Sequence, residues 1–265
     1  LEALTDCLTD AGPTVVYHLA GQADVAASWQ APRDTYRANT EGTLNLLEAA
    51  RRADVARVIV TTSADVYGIV TPDELPLTEE APLRPASPYA ASKAAADMVC
   101  LQANLGYGQD VIRVRAFNHL GPGQSDRFLA GAVARRVVEA VRAGDTTIPI
   151  GDLTPRRDFT DVRDVVRAYR LLAVHGHAGE VYNVCSGIDV SAQELVDGLV
   201  ALAGTPIELV PDPSLMRPVD LPVLRGDPGR IRAHTGWEPV IPLASTLEDL
   251  YADMQRRVDG APEAS

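Results

Sequence analysis

The sequence predicts an α/β fold: a doubly wound parallel sheet, with a smaller C-terminal part beside it. Two observations carry this. Val15-Val16-Tyr17-His18-Leu19-Ala20-Gly21, Val58-Ile59-Val60-Thr61 and Val111-Ile112-Arg113-Val114 are short apolar runs of strand length. Helical stripes separate them, Thr43 to Ala50 between the first and second and Pro88 to Met98 between the second and third. Strand, helix, strand, helix, strand is the grammar of parallel strands joined by right-handed crossovers and covered on both faces.

Taken in order, the first strand closes at Gly21, and Asn39-Thr40-Glu41-Gly42 leads into the first helix of the pattern. The second strand ends in Thr61-Thr62-Ser63. Ser87 reads as the N-cap of the next helix and Pro88 as its first residue, because that position has no use for an amide hydrogen. After Val114 the character changes, with Pro, Gly and Arg clusters interrupting shorter elements. Phe128 to Ala143 reads as a helix. Val181-Tyr182-Asn183-Val184 reads as a buried strand returning to the first sheet, near residues 180–185. Ser191-Ala192-Gln193-Glu194 is a capping box that opens a helix, and Asp212 to Asp227 reads as a loop reaching over a site. Trp237 is expected to anchor the C-terminal region in a core. The expected division is residues 1–117 and residues 118–260.

The chain has 265 residues, of which 46% are hydrophobic and 23% charged, so it can bury a sizeable core. A net charge of -12 repels phosphate backbones and no basic stripe is present, so no nucleic-acid partner is expected. No apolar run is long enough to span a bilayer, and no metal site is expected. Cys7, Cys100 and Cys185 are odd in number and far apart in apolar surroundings. They are expected to be buried thiols in a reducing, cytoplasmic compartment. The first residues, Leu1-Glu2-Ala3-Leu4, lack a basic region and a signal-peptide core and read like the tail of a helix.

The chemistry centres on Tyr89 and Lys93. Four residues apart, they share one helix face, and an ammonium beside a phenol favours the phenolate. Tyr89 falls in the opening turn, where the helix dipole adds to that effect, and Ser63 would complete the set.

His18-Leu19-Ala20-Gly21-Gln22, Asn39 with Gly42-Thr43, Thr62 to Gly68, Ser87-Pro88-Tyr89 with Lys93, and Arg115-Ala116-Phe117-Asn118 follow one another in the chain. In that order they resemble the extended short-chain dehydrogenase/reductases that modify nucleotide sugars. Phe117 to Gln124, Arg156 to Asp164 and Val181 to Gly187 are most similar to the GDP-6-deoxy-4-keto-mannose reductases and their relatives, the GDP-mannose 4,6-dehydratases. The resemblance implies a Rossmann-like dinucleotide domain lacking its N-terminal glycine-rich part, followed by a nucleotide-sugar-binding domain. It implies NAD or NADP as cofactor and a GDP-hexose as substrate.

By the same resemblance Tyr89 donates the proton, Lys93 holds the nicotinamide ribose and lowers the Tyr89 pKa, and Ser63 orients the reacting oxygen. Asp65 occupies the position where the dehydratases usually carry the Glu that removes the C5 proton. With Ala64 before it and the shorter side chain, it supplies elimination less well than ketone reduction; its other reading is a cap for the following turn. Leu19, Ala20, Gly21, Thr61 and His119 would border the cofactor. Asn118, Arg157 and Arg217 would bind the substrate, the arginines on its diphosphate, although Arg156-Arg157-Asp158 also reads as a surface ion pair. The implied assembly is a homodimer built on the helix bearing Tyr89 and the one after Asn39. The expected activity is reduction of the 4-keto group of a GDP-6-deoxyhexose. The alternatives are a GDP-mannose 4,6-dehydratase, an epimerase, or a cofactor-deficient nucleotide-sugar-binding protein.

Overall fold

The structure, a computed structural model, describes residues 1–216 and 221–260. The chain opens with helix α1 (Glu2–Ala11) and enters strand β1 (Val15–His18). Two short helices follow: α2 (Val25–Gln30), capped by the Asp24 carboxylate on Ala27 N, and α3 (Pro32–Tyr36). α3 runs through one π-helical turn, Arg37–Glu41, into α4 (Gly42–Arg52). Within that wider turn Asn39 is buried while Arg37 and Glu41 stay exposed. Strand β2 (Arg57–Thr61) ends in a 3-10 turn, Ala64–Tyr67, and a long loop then leads to α5 (Pro88–Tyr107). The start of α5 is as expected: Ser87 Oγ accepts from Ala90 N and Pro88 takes the first position. β3 (Val111–Ala116) follows, buried along its whole length.

Beyond β3 come β4 (Asn118–Leu120), α6 (Leu129–Ala143), β5 (Thr147–Ile150), β6 (Arg156–Asp161), α7 (Val162–His175) and β7 (Val181–Val184). The chain finishes with β8 (Asp189–Ser191), α8 (Ala192–Ala201), β9 (Glu208–Pro211), β10 (Val223–Leu224), α9 (Gly229–Thr235) and α10 (Leu243–Asp259). The Ser191/Glu194 capping box opens α8 as predicted. The segment expected to be a plain loop between Asp212 and Asp227 contains a 3-10 turn, Pro213–Leu215, and the short strand β10 paired to β6. Its residues 217–220 lie outside the described part.

One parallel sheet runs β1-β2-β3-β7. Alternation along β2 explains its two covers, since successive side chains point to opposite faces. Val58 and Val60 meet Leu46, Leu47 and Ala50 of α4 and Cys100 and Ala103 of α5. Ile59 joins Ile112, Val165, Tyr169, Leu172, Ile231 and Trp237 on the opposite face. α7 and α9 therefore return from the C-terminal half to close the first sheet. Cys100 and Cys185 are buried as expected, but Cys7 is exposed, because it lies on the open side of α1.

The second region places β4, β6 and β10 in one sheet, with β8 antiparallel to β6, and joins β5 to β9. Val133 and Val137 of α6, Leu195 and Leu199 of α8, and Leu250 and Met254 of α10 fill a separate core beside them. No helix among the described residues is long and apolar enough to cross a membrane.

Trp237 is the anchor the sequence suggested. Its ring is fully buried and its Nε1 donates to Asp164 O at 2.9 Å. Trp237→Ala removes this plug from between α7, α9 and the sheet. The expected cost is about 3–5 kcal/mol, typical of a buried aromatic truncation, and the urea unfolding midpoint measures it.

Candidate active site

The C-terminal ends of β1, β2 and β3 open on one edge of the sheet, the place where open α/β sheets collect ligands. β2 delivers Thr61 and Ser63 there. Ser63 has extended backbone and caps the 3-10 turn, its Oγ accepting from Asp65 N at 3.2 Å. The N-cap of this turn is thus Ser63. From the neighbouring helix, Tyr89 in the first turn of α5 brings its phenol close enough to the Ser63 hydroxyl to be influenced by it. Lys93, one turn further on, donates from Nζ to Thr61 O at 2.9 Å. Ser63, Tyr89 and Lys93 are only 7%, 9% and 8% exposed, so they act on one another through protein rather than water.

Burial raises the Tyr89 pKa, the Asp65 carboxylate raises it further, and the nearby Ser63 hydroxyl works the other way. This corrects the expectation of a lowered phenol pKa: desolvation leads, a nearby carboxylate adds to it, and Lys93 is not among the groups that shift Tyr89. Lys93 is itself drawn down to about 8 by burial. His18, at the end of β1, falls to about 4, chiefly through burial and then through Lys93. Its Nε2 lies 3.1 Å from Thr43 Oγ1 on α4.

Asn39 is the residue whose role sequence reasoning missed. Its Oδ1 accepts from Gln22 N at 2.8 Å, and its Nδ2 donates to Gln22 O at 3.0 Å and to Ser92 Oγ at 2.9 Å. It ties the β1 exit to α5 between Tyr89 and Lys93. The available signal was a polar Asn at a helical position, matched by Ser92 on the dyad's own helix. Gly21 sits against this tie. A Cβ there would come within 2.7 Å of Asn39 Oδ1 and 3.5 Å of Lys93 Nζ. The bare backbone and the buried amine form a cradle with hydrogen-bonding capacity, which suits the ribose and nicotinamide end of a dinucleotide. The residues present thus fit that group.

Leu19 and Ala20 lie exposed beside this cradle. His119 is the middle residue of β4, with Nδ1 3.1 Å from Phe117 O. Desolvation lowers its pKa although the residue keeps an open face. Asn118, exposed, pairs with Phe159 of β6, two residues from Arg157. Arg157 donates from Nη1 to Arg156 O at 2.8 Å. The three residues read as one ion pair diverge. Arg156 pairs with Asp189, while Asp158 is buried and accepts from Ser186 N, Gly187 N and Gly226 N. Arg217 lies outside the described residues. No group of His, Cys, Asp and Glu suited to a metal occurs among the described residues.

A parallel sheet ending in a Ser, Tyr and Lys constellation defines the class: the epimerase/dehydratase type of short-chain dehydrogenase/reductase. The model of the family described as GDP-mannose 4,6 dehydratase matches residues 1–250, and the chain belongs to that family. It is 40% identical over 248 residues to a GDP-6-deoxy-D-mannose reductase of Pseudomonas aeruginosa, covering 93% of this chain and 82% of the relative. A UDP-glucose 4-epimerase of Mycolicibacterium smegmatis is 37% identical over 245 residues, 92% of this chain and 77% of the relative. Among solved structures, RMD from Pseudomonas aeruginosa complexed with NADPH superposes with a TM-score of 0.89 at 38% identity, covering 96% of this chain and 86% of that one.

The His18 shift has a testable sign. The folded pKa of about 4 lies below the ordinary 6.5, so the unfolded chain binds the proton first. Stability from this group is whole above pH 6.5 and is lost as pH falls towards 4. Urea midpoints at pH 7 and pH 4.5 are expected to differ less in His18→Gln than in the natural chain.

Proposed function

We propose that the chain reduces the 4-keto group of a GDP-6-deoxyhexose with a nicotinamide cofactor, NAD(P)H. The observation that carries this is the buried Ser63–Tyr89 hydroxyl pair beside the Lys93 amine. The cofactor, when bound, supplies the hydride that reaches the carbonyl carbon. Lys93, the Gly21 backbone, Thr61 and His119 hold its ribose and nicotinamide end, bordered by Leu19 and Ala20. Ser63 Oγ holds the carbonyl oxygen, and Tyr89 gives it a proton. A raised phenol pKa keeps Tyr89 protonated at neutral pH, the state a donor to a developing alkoxide needs. Asn118, Arg157 and Arg217 hold the nucleotide diphosphate, for which the planar guanidinium fork is suited.

The reductase relative at 40% identity supports this reading. The family description favours a second one, a GDP-mannose 4,6-dehydratase with Asp65 as its acid and base, and the Asp65 carboxylate is near enough to act on Tyr89. Residues 1–117, with the strand near 180–185, form the cofactor unit in this proposal, and residues 118–260 the substrate unit.

The location we propose is cytoplasmic, in keeping with free thiols at Cys100 and Cys185. The assembly we propose is a homodimer through α4 and α5. Leu44, Met98 and Leu105 are exposed there, beside a shallow depression lined by Met98, Leu101 and Leu105. Met98→Glu combined with Leu105→Glu is expected to yield monomers in sedimentation velocity.

Two assays decide the chemistry. With GDP-4-keto-6-deoxymannose, oxidation of NADPH or NADH is expected, and Tyr89→Phe is expected to lower kcat by about 10²–10⁴ with the fold intact. No oxidation of either cofactor would reject the reductase reading. GDP-mannose supplied alone separates the alternative, since a dehydratase makes the keto sugar without net cofactor consumption.

A further inference from the structure

Two arginines of β3 have no place in the chemistry above, yet they are buried under it. Asp97 of α5 is 0% exposed and accepts from Arg113 Nη1 at 2.9 Å. It also accepts from Nε and Nη2 of Arg115 at 3.0 and 3.2 Å. The remaining nitrogen of Arg115, Nη1, donates to Tyr67 Oη at 3.2 Å and Glu79 O at 3.0 Å. Its guanidinium also lies 5.2 Å from the centre of the Tyr67 ring. Tyr67 Oη in turn donates to Asn183 Oδ1 of β7 at 2.7 Å.

The ends of this chain of contacts matter. Asp97 lies one turn beyond Lys93 and two beyond Tyr89, on the same buried face of α5. Tyr67 is the last residue of the 3-10 turn that Ser63 caps. Arg115 therefore grips both carriers of the reacting hydroxyls, the helix with one edge of its fork and the serine turn with the other. We propose that Arg115 is a positioning residue that sets the approach of the Ser63 hydroxyl to the Tyr89 phenol by locking Asp97 and Tyr67 to one rigid guanidinium.

Stability alone is a poor reason for this arrangement. Removing three charges from water is costly, and well-packed apolar replacements of such triads are often neutral or better. What an apolar core lacks is direction. The guanidinium is planar, with donors in a fixed fork, so it relates three acceptors at set angles, which the single flexible ammonium of a lysine does not. The inference rests on the proposed reduction in taking Ser63 and Tyr89 as the reacting pair, but its placement of them is open to observation without substrate.

Arg115→Lys keeps the charge and removes the fork. The expected result is a fall in kcat of at least about ten-fold, because ångström-scale misplacement is expensive, with KM for sugar and cofactor within about two-fold. In a chain labelled with 13C at tyrosine Cζ, the Tyr89 resonance is assigned by its loss in Tyr89→Phe. Arg115→Lys and Tyr67→Phe are each expected to shift it at pH 7 with no ligand added. Should Arg115→Lys not fold, Tyr67→Phe, which deletes one oxygen, carries the same measurement. Asp97→Asn and Tyr67→Phe are further expected to be non-additive in kcat, with the coupling lost in the Arg115→Lys background. An unmoved Tyr89 resonance in these folded variants would overturn the proposal. If the natural chain turns over no keto sugar, the reduction falls, and the resonance still decides the positioning.

Discussion

One ammonium group organises this site. Lys93 Nζ is drawn from water onto the carbonyl of Thr61, at a cost visible in its pKa of about 8. A cation so placed must keep a partner or lose its charge. The strand end that offers the carbonyl and the helix that carries the amine are thereby held together. Everything else near the edge accommodates that contact. His18 gives up its proton beside it, Asn39 braces the loop at Gly21 over it, and Tyr89 takes the position one turn nearer the helix start.

The site is built from two carriers that arrive separately, the serine turn after β2 and helix α5. Twenty residues of loop lie between Tyr67 and Pro88, ample freedom for the two to drift apart. Contacts across β3 remove that freedom. The strand is buried from end to end, so its two arginines can be held only by partners inside the protein. The apolar faces of the sheet set the layers, and the polar seam between α5 and β3 sets the finer register within them.

Much of this was legible in the chain. β2, β3 and β7 are short runs rich in Val and Ile, the expected mark of parallel strands buried on both sides, and Ser87-Pro88 and Ser191/Glu194 announce their helices by local chemistry alone. Other features were hidden for a physical reason. β4, β8 and β10 are two or three residues long and gain their pairing from β6 rather than from any pattern of their own. The rise in the Tyr89 pKa depends on burial, which spacing does not reveal. Arg115 meets partners 18 and 48 residues away, so a motif could place it beside Asn118 without disclosing what it holds. Cys7 misled because its apolar neighbours on α1 face inward while the sulfur faces out.

The π-helical turn at Arg37–Glu41 has a consequence for how this chain tolerates change in length. Such a turn accommodates one surplus residue within a continuous helix. Losing any residue between Pro32 and Arg52 would let the helix relax to ordinary winding and swing one end by about 100° against the other. Asn39 would then leave Ser92, or the Leu46 and Leu47 side would leave the sheet, and one rod could not satisfy both. That stretch is therefore phase-locked, indifferent to many surface exchanges yet intolerant of a single deletion.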